Sequence, residues 1–397
     1  MANIKQLKHL EHLEDEMLNY GVEGCMAAVS FLKELRKMLG KQEHAGFMQT
    51  KWDGAPSVVC GVEPLTGMFF VGTKSVFNKT EPKICFTPES IDEYYQGDLA
   101  EKLKYALEHF SKLNITGVIQ GDLLFTRDIR KEKVNGEELY TFRPNTITYG
   151  IPVGHDIGKK AGRAKIGVVF HTHYTGEELA TMQARAGANV DGSTDVLVVK
   201  NDTPMHRVGF SKSEMTKFDT YISKIERMCQ ICGDFLDELV AVSGTTGDAK
   251  FHISSYLKQF FNNEIKNARN VGNVDETLYE LANFYHAKMT KELAKIKTVA
   301  NLTKKRNLVY ASEEYLVNNV YKFKAMIALY KELQSVKQMV IDKLDHLEEF
   351  RTFVQTDKGY KVTTPEGYVL HKDGSMIKFV NRLEFAYNNF TIEKKWR

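Results

Sequence analysis

Tyr360-Lys-Val-Thr-Thr-Pro-Glu366-Gly367-Tyr368-Val369-Leu370-His371-Lys372-Asp373-Gly374-Ser375-Met376-Ile377-Lys378-Phe379-Val380 is the stretch on which the fold turns. Its apolar residues predict strands over 360–363, 368–371 and 376–380, with a turn at Lys372-Asp373-Gly374-Ser375. So short a hairpin is marginal by itself in water, because it has no second layer on which to bury a face. The residues just before it offer no sheet. From 211 to about 350 apolar residues recur at helical spacing, as in Phe218, Ile222, Ile225, Cys229, Leu236 and Leu239. Similar stripes run through 276–297 and 313–349. The tail is therefore expected to return across a helical block and complete a sheet begun earlier.

That earlier sheet is legible from Gly46 onward. Phe47–Thr50, Ser57–Val62 and Met68–Thr73 are short β-rich runs, divided by Asp53-Gly54 and by the turn Pro64-Leu65-Thr66-Gly67. A helix is expected over 97–113 and a strand over 115–125. Asn135-Gly136 marks a hairpin. Strands follow at 139–142, 146–149, 166–174 and 195–200, with a short helix near 177–186. Strands that arrive as hairpins rather than as βαβ units predict an α+β fold with antiparallel sheets. Residues 3–40 read as helix, with Gly21 and Gly24 separating two segments. The expected organisation is an N-terminal helical extension (1–45), a first α+β part (46–210), an inserted helical domain (211–354) and a completing part (355–397).

The whole-chain properties set limits. In 397 residues, 43% are hydrophobic and 11% aromatic, ample for real cores. A net charge of +3 gives no bulk signal for nucleic acid, so any such contact must be local. Five cysteines, few and odd in number, suit a reducing compartment. Cys229-x-x-Cys232 falls on an apolar helical stripe with no second pair to complete a zinc tetrad, so buried thiols are expected there. The first residues lack the apolar core of a signal peptide, and no run approaches a membrane span. A cytoplasmic protein, in a bacterial or phage-infected cell, is the expectation.

If the tail rejoins the first sheet, distant groups can share a site. Lys51-Trp52-Asp53-Gly54 places a lysine at the mouth of a tight turn, where a deprotonated amine would be a nucleophile. Gly121-Asp122, Glu366 and Lys378 are its candidate companions. Nucleotidyl transfer from a triphosphate needs this set: a nucleophile, a second cation at the α-phosphate, and carboxylates for a divalent ion.

In order along the chain these pieces resemble motifs I, III, IIIa, IV and V of the covalent nucleotidyltransferases, the ATP-dependent RNA and DNA ligases and RNA capping enzymes. Lys51-Trp52-Asp53-Gly54 resembles motif I, and Gly121-Asp122 resembles motif III with Asp where Glu is commoner. Val169-Phe170-His171 resembles motif IIIa, Glu366-Gly367-Tyr368-Val369 motif IV, and Lys378 falls at motif V. The spelling is closest to phage-type RNA ligases. The resemblance covers about 46–210 and 355–397. It departs at motif V, where Val380 stands in place of a second lysine and Arg382 is the nearest cation. It implies an antiparallel, ATP-grasp-like ligase domain interrupted by the helical insert.

By position, the resemblance implies a Lys51–AMP adduct, with Asp53 orienting the lysine and Lys378 at the α-phosphate. Thr50 and Lys74 would contact the nucleotide, and Phe170 would stack on adenine. Glu366 would bind or position Mg²⁺ or Mn²⁺, with Asp122 also at the metal site and acting on the ribose or on metal-bound water. ATP is the implied cofactor and RNA with 5′-phosphate and 3′-hydroxyl ends the implied partner, with DNA possible. DNA nick sealing, guanylyl transfer, and a non-catalytic relative that binds nucleic acid or protein stand as alternatives. Lys288, Lys291, Lys295 and Lys297, then Lys304-Lys305-Arg306, form a basic run that would suit an RNA backbone. A second run, Lys159-Lys160 with Arg163 and Lys165, would suit pyrophosphate or the acceptor strand.

Overall fold

The computed structural model describes residues 10–241, 249–347, 350–357 and 359–385. Residues 3–9, expected to be helical, lie outside these. Helix α1 (Glu16–Leu39) begins later than its periodicity suggests and kinks at Gly21, where φ is 60°. The amide of Val22, freed by the kink, donates to Asp237 at 2.8 Å.

The α+β body follows. It holds β1 (Phe47–Lys51), β2 (Ser57–Val62), β3 (Phe69–Gly72), α2 (Pro88–Tyr94) and α3 (Gly97–Phe110). Next come β4 (Val118–Phe125), β5 (Arg130–Val134), β6 (Glu137–Phe142) and β7 (Thr148–Pro152). Then come α4 (Asp156–Ala161), β8 (Ile166–Thr175), β9 (Gln183–Ala186) and β10 (Val196–Val198). The helix expected near 177–186 is instead a short 3-10 turn followed by β9, which pairs antiparallel with β8. An unpaired edge of β8 is there to be satisfied, and four residues suffice to cover it.

The helical block comprises α5 (Lys212–Ala241), α6 (Ala249–Lys266), α7 (Val274–Leu293), α8 (Val299–Asn318) and α9 (Val320–Leu344). It does not stand alone. Buried residues of α1, α5 and α9 share one core with Tyr368, Leu370, Ile377 and Phe379 of the tail. The N-terminal helix thus packs into the helical block rather than extending away from it. Cys25 of α1 and Cys229 of α5 are joined as a disulfide, while Cys232 is free and buried. The expectation of a free thiol at Cys229 is corrected by this pairing, which its place opposite α1 makes possible.

The tail supplies β11 (Arg351–Thr356), β12 (Gly359–Val362), β13 (Gly367–Lys372) and β14 (Ser375–Phe379). It enters the body twice. β11 joins β7 in a five-stranded sheet ordered β12-β11-β7-β6-β5, and β13 joins β1 in a three-stranded sheet ordered β1-β13-β14. A six-stranded sheet, β10-β8-β4-β2-β3 with β9 beside β8, completes the body. All pairings between these strands are antiparallel except β10 with β8. The architecture is α+β, as the hairpin signals predict. No helix among the described residues is long and apolar enough to cross a membrane.

Period-2 alternation decides what each sheet shows to its neighbours. On β13, Tyr368 and Leu370 enter the helical core, while Gly367, Val369 and His371 face the other way. On β8, Ile166, Val168 and Phe170 pack under α3, while Val169 and His171 face away. The two remaining faces enclose a cleft.

Candidate active site

The cleft holds about 260 Å³ and is lined by Thr50, Lys51, Trp52, Asp122, Val169, His171 and Val369, with Gln49, Arg185, Asn201 and His371 around them. Antiparallel register explains how its charged groups meet. Lys51 pairs with Gly367, and Val369 lies between Gln49 on one side and Lys378 on the other. Cross-strand partners share a face, so Lys51, Gln49 and Lys378 project from the same side of the three-stranded sheet.

Two glycines make the approach possible. A Cβ on Gly54 would lie 2.6 Å from the Asp122 Cβ, so only glycine lets the turn after Lys51 reach β4. There the amide of Ala55 donates to Leu123 O at 3.0 Å. Gly367, at φ +144°, would place a Cβ 2.3 Å from Phe379 O. Trp52 anchors the same turn between Tyr149 and Phe350, with ring centroids 5.0 Å and 4.8 Å away.

Lys51 Nζ donates to Glu366 Oε1 in a direct ion pair. Burial acts to lower the lysine pKa, but the charge and hydrogen bond of Glu366, backed by Asp122 and Asp53, leave it above the usual lysine value. Glu366 is 7% exposed. Burial, against the pull of Lys51 and reinforced by Asp53, raises its carboxyl to about 7. Burial and the charge of Lys51 both lower the pKa of Lys378. Its amide donates to Glu11 O at 3.0 Å, which fixes β14 against the N-terminal segment.

Asp53 is buried with both oxygens engaged. Oδ1 accepts from Asn145 Nδ2 at 2.7 Å, and Oδ2 accepts from the amides of Thr146 at 2.7 Å and Ile147 at 2.8 Å. It clamps the motif turn to the loop before β7 and reaches Lys51 only through its charge. Asp122 is half-buried, with His171 Nε2 at 3.5 Å from its Oδ1. Thr50 lines the cleft and its amide donates to Asn201 O at 2.6 Å.

Glu366 and Lys378 are not among the residues that line the cleft, although Glu366 meets Lys51 directly, and Phe170, Lys74 and Arg382 lie elsewhere. Phe170 does not face the cleft. It is 2% exposed and packs edge-on against Phe110 of α3 at 5.4 Å. The alternation of β8 puts Val169 and His171 on the cleft side instead, so a base stacking there would meet these rather than Phe170. Lys74 is exposed on a 3-10 turn and does not line the cleft. Arg382 gives no second cation. Its guanidinium donates to Glu14 at 3.2 Å, Asp15 at 3.0 Å and Tyr330 at 3.1 Å, in a buried network that also holds Lys337.

The basic runs also lie outside the cleft lining. Lys159 pairs with Asp156 at 3.0 Å and Lys165 with Asp195 at 3.2 Å. Lys288, Lys291, Lys295, Lys304 and Arg306 are exposed on α7, α8 and the turn between them, and Lys305 pairs with Glu292.

Some cleft residues had no sequence signal. Gln49 could have been found two places before Lys51 on the same strand. Asn201 and Arg185 reach the cleft from segments whose pairing the sequence does not reveal. His371, stacked on Phe47 at 4.5 Å, has its pKa lowered to about 4 by burial and the facing His171.

Among the described residues, no three His, Cys, Asp or Glu side chains converge to hold a metal by themselves. Glu366 and Asp122 are the carboxylates that could hold an ion there together with ligand oxygens. Two carboxylates, Glu366 and Asp122, flank Lys51, and Mg²⁺ commonly takes one or two carboxylates beside substrate oxygens.

The structure is an α+β body with antiparallel sheets, into which the C-terminal strands return beside the cleft. The chain belongs to a family of unknown function (DUF6267), whose signature matches residues 3–394. No curated protein and no solved structure matches it.

Proposed function

We propose that this chain is an ATP-dependent RNA ligase that works through a lysyl-AMP intermediate. The observation that supports this best is the Lys51–Glu366 ion pair, with Lys378 projecting from the same side of the sheet as Lys51. A half-buried lysine beside a buried carboxylate, with a second cation on the next strand but one, suits attack on an α-phosphate.

In this reading Lys51 Nζ forms a bond to the α-phosphorus of ATP and the bond to pyrophosphate breaks. The amine must first lose the proton that Glu366 now helps it to hold. Lys378 balances charge on the α-phosphate. AMP then passes to an RNA 5′-phosphate, and a 3′-hydroxyl displaces it as the new phosphodiester forms. A divalent ion, held by Glu366 and Asp122, would supply charge neutralisation at the phosphates. Asp53 keeps the turn in place, and Val169 with His171 offers a surface for the base.

A second reading, a relative that binds nucleic acid without catalysis, draws on Arg382. Its engagement with Glu14 and Asp15 leaves Lys378 without the second cation that motif V usually carries.

The test is incubation with α-labelled ATP or GTP and Mn²⁺, followed by denaturing electrophoresis. A label from ATP that is lost in Lys51→Ala supports the ligase reading. Preference for GTP redirects it to guanylyl transfer, and no adduct with either nucleotide removes both. Joining of single-stranded RNA against sealing of nicked DNA then separates the substrates.

A further inference from the structure

The part of the α7–α8 hairpin nearest its turn lies outside the cleft and is strongly basic, while acids sit toward the far ends of the two helices, Asp275, Glu276 and Glu280 on α7 and Glu313 and Glu314 on α8. From Lys288 to Arg306 the sequence holds seven cations and one carboxylate, Glu292, in a chain whose net charge is only +3. Helix α3, by contrast, mixes its charges: Lys102 pairs with Asp98 and Lys104 with Glu101 on the helix, and Lys112 just past its end pairs with Glu108. Within 288–306 the single acid, Glu292, is engaged by Lys305 at 2.7 Å, which ties α8 to α7. Lys288, Lys291, Lys295, Lys297, Lys304 and Arg306 are exposed, and among the described residues none of them makes an ion pair. Like charges gathered this closely repel one another, and a polyanion relieves the repulsion.

Helix α8 also presents one exposed ring, beside the exposed Val299 and Val317. Tyr310 is 71% exposed and lies one helical turn beyond Arg306. At 100° per residue it shares a line along α8 with Arg306 and Val317. An exposed ring beside a guanidinium, next to a row of lysines, is what a single strand uses: phosphates on the cations and a base on the ring.

We propose that the α7–α8 hairpin is a docking surface for single-stranded nucleic acid, with its unpaired cations along the sugar-phosphate backbone and Tyr310 stacked on a base. Identifying that strand as the end to be joined rests on the ligase reading; the docking itself does not.

The experiment is fluorescence anisotropy of the full chain with a labelled single-stranded RNA and its DNA counterpart, titrated at several KCl concentrations. Each phosphate neutralised on a single strand contributes about −0.7 to the slope of log K against log salt, so six contacts give about −4. Lys288→Gln/Lys291→Gln/Lys295→Gln should shorten the slope by about 2. Tyr310→Ala should weaken binding roughly tenfold or more with the slope unchanged, and Tyr310→Phe should restore it. Equal affinity for RNA and DNA, or a preference for RNA through its 2′-hydroxyls, both fit the surface. Absence of salt-dependent binding, or an unchanged slope in the triple variant, overturns it, including the case where another protein covers this face. Labelling with AMP separates the two claims. The triple variant should still form the adduct, and a wild type that binds RNA with the expected slope but forms no adduct defeats the ligase reading alone.

Discussion

Lys51 Nζ donates to Glu366 Oε1 across 315 positions of sequence. The contact exists because Lys51 ends β1 opposite Gly367, the first residue of β13. A buried carboxylate thus holds the lysine in place and keeps its proton on.

Replacing Glu366 by Gln removes the charge that raises the Lys51 pKa. The amine should then titrate at lower pH, read as a shift in the pH dependence of its labelling by an amine-reactive probe and peptide mass analysis. Adduct formation with ATP should nevertheless fall by about a hundredfold or more, because Glu366 is also a proposed metal donor. An unshifted labelling profile would show that the pair does not form in solution.

The two cations near the end of the chain should behave differently. Lys378→Ala should abolish adduct formation and leave stability within about 1 kcal/mol, since the side chain is only half-buried. Arg382→Ala should cost about 3–5 kcal/mol, because it strips Glu14 and Asp15 of a buried partner. Urea denaturation run beside the labelling assay distinguishes them. A stable, inactive Arg382→Ala would instead put its guanidinium in the chemistry.

Neighbouring positions on β8 should separate in the same way. Phe170→Ala opens a hole against Phe110 and should cost about 3–5 kcal/mol. His171→Ala, on the cleft face, should spare stability and weaken nucleotide binding, measured by calorimetry. If Phe170→Ala loses nucleotide affinity with stability intact, the alternation assigned to β8 is wrong.

Asp345 gives a second pH dependence, on the helical-core side of β13. Burial, against a hydrogen bond from Tyr368 at 3.0 Å, raises its carboxyl to about 7. An unfolded aspartate titrates at about 3.9. Between these values the folded chain keeps a proton that the unfolded chain has released, so stability falls as pH rises from about 4 to about 7. Asp345→Asn keeps an acceptor for Tyr368 and removes that loss. Its melting temperature should exceed the wild type's at pH 8, by roughly 1–3 kcal/mol in stability, with the difference closing toward pH 4. A difference that does not vary with pH would refute the assignment.

Local signals in the sequence determined much of this. The hairpin at Asn135-Gly136 forms between β5 and β6, with φ positive at both residues, and the helical stripes of 213–240 and 276–297 become α5 and α7. Even the return of the tail to β1 was legible, because its isolated strands had no other sheet to join. Periodicity acts within a few residues, so it survives in a linear reading.

The tertiary structure alone decided which side of each strand faces the cleft. A shift of one residue in register exchanges the two faces, and the motif spelling around Phe170 does not reveal that α3 covers its side. Nor does the spelling around Arg382 reveal that Glu14 and Asp15, more than 360 positions earlier, hold its guanidinium. Asn201 and Arg185 enter the cleft through pairings set by neighbouring strands. These are long-range contacts, fixed by how separate elements pack and by which buried charges must be matched, and no local pattern encodes them.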